Sequence, residues 1–195
     1  MLWIFKNFVT RWMAAIIDSQ ARAICRIIPV TSHSYKENLV ESVNWTWGLS
    51  LIAVTIAIHA MCVVLMALAG IGIRARLETR RLALRHLIPI TIGIVGAVGL
   101  LLAVLHGIEA AIWAAAYVWL GALDSLKDAI LYSIDSMTTR GASGLTLERH
   151  WLTMGALEAA DGMLLFGIST AYIFAVMQLY WPMLSELVMT RLHPR

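Results

Sequence analysis

The stretch Asp124–Gly144, DSLKDAILYSIDSMTTRGASG, decides the fold predicted for this chain. Its first part, residues 125–138, predicts a short amphipathic helix, and Asp124 and Ser125 are of the types that cap helix starts. Such a helix is too short to cross a bilayer, whose hydrocarbon core is about 30 Å thick. A loop of hydroxyl groups, glycines and small side chains follows at residues 138–144.

A long apolar segment follows this loop, and residues 152–179 predict a helix that spans the membrane. Irregular backbone at membrane depth persists only where protein buries it or water reaches it. A short helix and a small-residue loop directly before a span satisfy that condition when they fold back to the side they entered from. Residues 125–144 therefore predict a re-entrant pore helix and pore loop.

Three motifs in this region resemble the pore module of bacterial potassium-channel-like proteins. They are YSIDSMTTRG at 132–141, LEAADG at 157–162 and FGISTA at 166–171, and they lie in the last third of the chain. In that family a pore helix leads into a Thr-Thr-x-Gly-Tyr-Gly-Asp filter, and an inner helix lines the cavity below it. The resemblance implies a homotetramer whose four loops meet on a central axis.

The filter that this resemblance implies departs from the potassium pattern. Its residues are Thr138, Thr139, Arg140, Gly141, Ala142, Ser143 and Gly144. Arg140 stands where the family has an aliphatic residue, and Ala142 and Ser143 stand where it has Tyr and Gly. A potassium filter needs rings of backbone carbonyls, and serine tolerates the backbone angles of the second glycine poorly. We therefore expect a pore without potassium selectivity.

Arg140 is the residue of this loop with the largest electrostatic consequence. Four copies in a tetramer would place four permanent charges near the axis, because guanidinium does not lose its proton. Asp135, Glu158 and Asp161 are the candidate partners for an ion pair. One interpretation is that Arg140 sets the electrostatics of an anion-attracting or occluded pore. The other is a structural ion pair that holds the loop to its helix, and both stay open.

Composition places the whole chain in a membrane. Of its 195 residues 60% are hydrophobic and 14% are charged, and the mean hydropathy is +0.77. These values exclude an ordinary soluble domain. Apolar segments at 47–73 and 85–121 predict two further spans, which gives an all-α integral membrane fold of three transmembrane helices plus the re-entrant helix. We expect residues 47–195 to form this channel domain, and nucleic acid is not an expected partner.

Residues 1–46 predict a separate amino-terminal segment. Apolar and charged side chains alternate too often there for a span, and the pattern is typical of an amphipathic helix in the membrane interface. Packing against the channel body or against a partner subunit is an equal alternative.

The segment between the first two predicted spans is strongly basic. Its arginines are Arg74, Arg76, Arg80, Arg81 and Arg85. Basic loops of membrane proteins stay on the cytoplasmic side, so loop 74–86 and the C-terminus are expected in the cytoplasm and the pore loop is expected to enter from outside. The resemblance implies a bacterial inner membrane. The same arginines could bind anionic lipid headgroups.

His59, His106 and Glu109 are ionisable residues deep within the first two predicted spans. His59 is interpreted either as a hydrogen-bonding packing residue or, less simply, as part of a proton relay. His106 and Glu109 lie three apart on one helix face, and Trp113 and Tyr117 continue that face at helical spacing. A metal pair or a proton site is conceivable for His106 and Glu109. We expect packing, because two ligands without a third make a poor metal site. Neither a metal nor a cofactor is expected, and Cys25 and Cys62 lie in environments too different for a disulfide.

The resemblance also assigns roles on the last helix. A hinge or the lining of an inner cavity is implied for Gly162, Phe166, Gly167 and Thr170. Close packing at the interface between subunits is the alternative for the glycines, and Thr170 could instead bond back to its own helix.

The function expected from these observations is a tetrameric pore-loop channel that is non-selective, anion-conducting or normally closed. The alternative is a non-conducting scaffold or sensor subunit that acts through an unidentified regulatory partner. An enzyme is not expected, because no nucleophile-elbow or zinc-protease motif links the polar residues of the spans.

Overall fold

The computed structural model describes most of the chain after its amino-terminal segment. The described backbone covers residue 11, residues 33–79, residues 84–141 and residues 143–192. Apart from Arg11, side chains are described from residue 43 onward, with the exception of 84, 187 and 190–192. Most of the predicted interfacial helix of residues 1–46 lies outside this description.

Every regular element in the described ranges is a helix. These elements are α1 (His33–Thr79), α2 (Leu84–Trp119), α3 (Leu126–Met137), a 3₁₀ turn (Arg149–Trp151) and α4 (Leu152–Leu192). The helices α1, α2 and α4 are long and apolar enough to cross a membrane. The prediction of an all-α fold with three helices that could span a membrane is therefore confirmed for the described residues.

Helices α1 and α4 extend beyond the apolar segments 47–73 and 152–179 that predicted them, whereas α2 nearly coincides with its predicted segment 85–121. Helix α1 begins at His33, fourteen residues before the predicted start at 47, because no glycine or proline interrupts residues 33–47. It continues to Thr79, and its last turns carry an ion pair of 2.8 Å between Arg74 Nε and Glu78 Oε1. At about 1.5 Å per residue, α1 is about 70 Å long and exceeds the hydrocarbon core at one or both ends.

Helices α1 and α4 run parallel, and α2 runs antiparallel to both. The Asn44 side chain donates to the carbonyl of His150 near the starts of α1 and α4, and Tyr180 OH donates to the Gly70 carbonyl at 3.1 Å far along both helices. The end of α2 returns to the starting end, where the rings of Trp47 and Trp119 meet edge to face at 5.3 Å. This end is called the tryptophan end below.

The short helix α3 leaves the tryptophan end and runs alongside α4. Ser125 caps its first turn by accepting a hydrogen bond of 3.4 Å from the Asp128 amide, as the sequence predicts. Its buried face contacts α2 and α4 and consists of small and polar residues together with one methionine. The buried residues are Ala129, Ser133, Asp135 and Met137. Residues 138–148 then return to the start of α4.

The core lies where α3 packs between α2 and α4. Large side chains such as Trp113, Tyr117 and Met154 are fully buried there. A second core joins the far halves of the long helices around Leu102, Tyr172, Val176 and Tyr180. Apolar residues on the outer surface of the helices stay exposed, as expected for surfaces that lipid or further subunits cover.

Candidate functional site

The loop after α3 begins with a helix C-cap, at residues that the sequence resemblance assigns to the start of a filter. The Thr139 amide donates to the Ser136 carbonyl at 2.8 Å, and the Arg140 amide donates to the Asp135 carbonyl at 3.0 Å. This pair of bonds is a Schellman motif, which requires a left-handed residue after the last turn. Thr139 is that residue, with φ of 54°, and no other non-glycine residue of the described ranges has positive φ. The Thr138 hydroxyl adds a bond of 2.7 Å to the Ile134 carbonyl.

Asp135 holds both sides of the loop. Its Oδ1 lies 3.0 Å from Arg140 Nε, and its Oδ2 accepts a hydrogen bond of 2.9 Å from the Ser143 amide. The Asp135 side chain is 6% exposed, whereas the Arg140 side chain is 65% exposed. Of the three carboxylates proposed for Arg140, Asp135 is thus the one that makes the ion pair. The guanidinium is anchored at one edge and presents the other to the surface.

The remaining loop residues form an exposed turn. Gly141 and Gly144 have positive φ, of 60° and 73°, which glycine adopts without steric cost. The Ser143 hydroxyl accepts from the Leu145 amide at 3.4 Å. Ala142 lies outside the described residues. Thr138, Thr139 and Gly141 are exposed together with Arg140, so the loop presents a polar surface.

The last turn of α3 lies deep along the long helices. A Cβ placed on Gly162 of α4 would lie only 2.6 Å from the Met137 Cα, so the two backbones are in direct contact. Thr138 lines a cavity of about 210 Å³ together with His106 of α2 and Phe166 of α4. The start of the loop therefore lies at the level of Gly162 and Phe166 on α4 and of His106 on α2.

Glu158 and Asp161 are buried in hydrogen bonds within the helix bundle. Tyr117 OH donates to Glu158 Oε2 at 2.8 Å. Asp161 Oδ2 accepts from the Thr55 hydroxyl at 2.7 Å and from the Trp113 indole at 3.0 Å. Both carboxyl groups are fully buried, and Asp161 Oδ1 has no hydrogen-bond partner within the described residues. These two carboxyl groups thus fasten α4 to α1 and α2 and do not contact Arg140 through these bonds.

A second polar cluster lies farther from the tryptophan end and is called the histidine cluster. His59 Nδ1 lies 2.8 Å from Glu109 Oε1, and His106 Nδ1 lies 3.2 Å from Glu109 Oε2. The Ser169 hydroxyl lies 3.2 Å from His59 Nε2 and 3.0 Å from His106 Nε2. His59 and Glu109 are fully buried, and the His106 side chain is 15% exposed. The cluster therefore contains His59 from α1, His106 and Glu109 from α2, and Ser169 from α4.

The residues assigned to the inner helix take different roles. Phe166 stacks on the His106 ring at 4.5 Å, and the Thr170 hydroxyl bonds back to the Phe166 carbonyl at 2.9 Å. Gly162 is closely packed, but against α3 of its own chain. Gly167 has open space beside it, since no atom lies within 4 Å of the position that a Cβ would take.

Sequence reasoning identified the helix face of His106, Glu109, Trp113 and Tyr117 but not its partners. Each of these side chains meets a polar group on a neighbouring helix. The pairs are His106 with Ser169, Glu109 with His59, Trp113 with Asp161, and Tyr117 with Glu158. Thr55 and His59, four residues apart on α1, carry the same helical spacing. The helical spacing of polar residues on both α1 and α2 is the sequence signal that indicates these contacts.

Comparisons with protein families, with curated proteins and with solved structures find no match to this chain. The resemblance to potassium-channel-like proteins thus stays a prediction that rests on the three motifs quoted above. Function is therefore inferred from the geometry of the loop and of the buried polar groups.

Proposed function

We propose that this chain is a subunit of an oligomeric membrane channel whose pore is lined by loop 138–144 of several copies. The observation that carries the proposal is the combination of depth and exposure in this loop. About thirteen residues separate Arg149, at the tryptophan end of α4, from Gly162, which touches the end of α3. At about 1.5 Å per residue this places the loop start about 20 Å along the bundle.

Helix α2 supports the same depth independently. About thirteen residues separate Trp119, at the tryptophan end, from His106, which shares a cavity with Thr138. Tryptophan side chains such as the exposed Trp45 and Trp119 are typical of the membrane interface. A loop start about 20 Å from that interface lies inside a hydrocarbon core of about 30 Å.

Such a loop is not stable against lipid. Residues 138–141 have irregular backbone and are exposed, and the Arg140 side chain is 65% exposed. Lipid offers no hydrogen bonds, so polar backbone at this depth needs water or protein beside it. Three spans from one chain do not enclose water, whereas several copies around an axis would turn their loops toward a shared aqueous path. A homotetramer is the number that the sequence resemblance implies.

The chemistry of the loop favours a pore without potassium selectivity. The amides of Thr139 and Arg140 are bonded to α3, Thr139 has positive φ, and the Ser143 amide is bonded to Asp135. The loop backbone therefore turns back on the end of α3, and we do not expect its carbonyls to line up as in a potassium filter. The exposed edge of Arg140 brings positive potential to the path, and its Asp135 partner balances it in part. The proposed pore is therefore non-selective or anion-preferring. The potential of Arg140 sets that preference.

The proposed orientation follows from the basic segment between α1 and α2. Arg74, Arg76 and Arg85 lie at the ends of these helices away from the tryptophan end, and Arg80 and Arg81 lie outside the described residues. The positive-inside rule puts this end in the cytoplasm and the tryptophan end outside. The pore loop then enters from the outside of a bacterial inner membrane, and the arginines can bind anionic headgroups.

The experiment that tests this function is recording in planar bilayers with the purified, reconstituted full chain. We expect currents with a potassium-to-sodium permeability ratio close to one. Arg140→Gln should shift the anion-to-cation permeability ratio several-fold toward cations, because it removes the positive charge and leaves Asp135. Arg149→Gln, which changes an exposed arginine at the tryptophan end, is the matched control and should leave the ratio unchanged.

Two results would contradict the proposal. A potassium-selective current would overturn the interpretation of the loop. Absence of current in a correctly assembled oligomer would favour the alternative, a non-conducting scaffold or sensor that acts through a partner. The ion pair between Asp135 and Arg140 gives that alternative a physical basis, since it could serve only to hold the loop closed.

A further inference from the structure

The histidine cluster has more buried acceptors than its protons satisfy. Three of its contacts have hydrogen-bond geometry: His59 to Glu109, Ser169 to His59, and His106 to Ser169. The fourth contact, His106 Nδ1 to Glu109 Oε2, is 3.2 Å long, but neither atom has a hydrogen-bond partner within the described residues. The fourth contact is therefore the point that needs an explanation.

Proton counting fixes the donors when both imidazoles are neutral and Glu109 is ionised. The carboxylate accepts only, so His59 must donate from Nδ1. His59 Nε2 then accepts the proton of the Ser169 hydroxyl, and Ser169 Oγ in turn accepts from His106 Nε2. His106 is left with a lone pair on Nδ1 that faces an anionic oxygen of Glu109. Two acceptors that face each other in a buried site need a proton or a metal ion between them.

We propose that His59, His106 and Glu109 bind a divalent transition-metal ion of the zinc class. Ligand atoms of these three residues all lie within 4.8 Å of one another. Tetrahedral zinc with bonds of about 2.0 to 2.1 Å separates its ligand atoms by about 3.3 Å. The two nitrogen-to-oxygen distances of 2.8 and 3.2 Å are close to that value. The two distances end on different oxygens of Glu109, so an ion bound through one oxygen requires side chains to shift within the 4.8 Å that separates the ligand atoms at most.

Ser169 completes the site without coordinating the metal. When Nδ1 of each histidine binds the ion, each imidazole carries its proton on Nε2. Both Nε2 atoms face Ser169 Oγ, at 3.2 and 3.0 Å, and a hydroxyl oxygen has two lone pairs to accept them. Metal-binding histidines commonly donate their second nitrogen to such an acceptor, which fixes the ring orientation. His59 changes tautomer on binding, and the cluster gains or loses no proton.

The donor set selects the class of metal. Two imidazoles and one carboxylate suit zinc and its transition-metal neighbours, whereas calcium and magnesium prefer sites made of oxygen atoms. Three protein ligands leave a fourth position for water. His106 also lines the cavity of about 210 Å³ that borders Thr138 and Phe166, so the cluster lies next to this cavity. The spacing along α2 pairs His106 with Glu109, whereas His59 joins them only through the packing of α1 against α2.

This site lies within one chain and does not depend on whether the loops form a pore. A bound ion would join α1 to α2 next to the cavity at the start of the loop. A failure of metal binding would leave the proposed channel untouched, and a silent channel would leave the metal site untouched.

The test is metal binding by the purified full chain after removal of metals with a chelator. Equilibrium dialysis against Zn²⁺, with metal content measured by mass spectrometry, should give about one ion per chain. His59→Gln and His106→Gln should each weaken binding at least tenfold. Ser169→Ala should weaken it by about tenfold or more while leaving the three ligands in place. His150→Gln is the matched control, because His150 is 45% exposed and lies far from the cluster at the tryptophan end.

A spectroscopic measurement on the unaltered chain covers the case in which a variant fails to fold. Co²⁺ in place of Zn²⁺ should give the intense visible absorption of a four-coordinate site, and X-ray absorption at the zinc edge should show two imidazole ligands. Binding that is absent, or equal in the unaltered chain and the His59 and His106 variants, would overturn the proposal. The fourth contact would then hold a proton rather than a metal ion.

Discussion

Thr139 adopts a left-handed backbone conformation at the position where helices commonly end in glycine. A residue with a Cβ pays about 1 to 2 kcal/mol for this conformation. We expect Thr139→Gly to raise the free energy of unfolding by about 1 kcal/mol, since glycine relieves the strain but loses more freedom on folding. Reversible unfolding of the purified protein in mixed micelles measures this change.

Alanine at the same position separates strain from the loss of the hydroxyl. Thr139→Ala keeps a Cβ and should give no such gain. Equal stability of the glycine and alanine variants would show that Thr139 is not strained. Strain that persists in a loop marks the loop as a candidate functional segment, because the surrounding structure must maintain it.

The sequence limits the partners of Arg140 to three carboxylates but does not choose among them. Spacing along α3 and α4 places Asp135, Glu158 and Asp161 all within reach. The choice depends on the cap at Thr139, which turns the chain so that Arg140 faces Asp135. It also depends on Tyr117, which faces Glu158 from α2. Neither the turn of the cap nor a contact between helices is encoded in local periodicity.

Gly162 is the position where the short helix is seated on the long one. Gly162→Ala should destabilise the protein by about 1 to 3 kcal/mol, because the new Cβ would overlap the Met137 backbone and push α3 away from α4. Thermal unfolding in detergent measures this loss. In a channel the same displacement should also alter conductance, since residues 138–144 follow directly from Met137.

Gly167 is the matched control for this change. It lies on the same helix with open space around it, so Gly167→Ala should be neutral or should stabilise α4 by up to about 1 kcal/mol through helix propensity. Similar losses at both positions would indicate that flexibility of α4, rather than its contact with α3, is the property that glycine provides.

The type and order of the helices could be predicted from the sequence, but their mutual register could not. Apolar length identified the spans, and the Ser125 cap identified the start of α3. The pairing of His106 with Ser169 and of Tyr117 with Glu158 shows that α2 and α4 are antiparallel with a fixed register. Register between helices arises from the fit of side chains across the interface, and a single sequence carries no local signal for it.

On the scale of the whole molecule, the exposed polar loop at the membrane depth that we propose needs neighbours that the single chain does not supply. Exposed apolar residues do not identify them, because lipid and a second subunit cover such residues equally well. The loop does distinguish the two, since only water or protein can surround the Arg140 guanidinium and the irregular backbone beside it. Assembly around the loop is therefore the prediction on which the channel depends most.

Cross-linking at Gly141 tests this assembly in native membranes. With Cys25 and Cys62 replaced by serine, Gly141→Cys should form disulfide-linked dimers under mild oxidation, because the proposed assembly brings loops of different copies to one axis. Leu100→Cys, at a side chain of α2 that is 72% exposed, should stay unlinked if that surface faces lipid. Native mass spectrometry from lipid nanodiscs should show four chains. A monomer, or cross-linking at Leu100 without any at Gly141, would show that the loops do not face one another. The polar surface at Arg140 would then have to be covered by something other than a second copy of this chain.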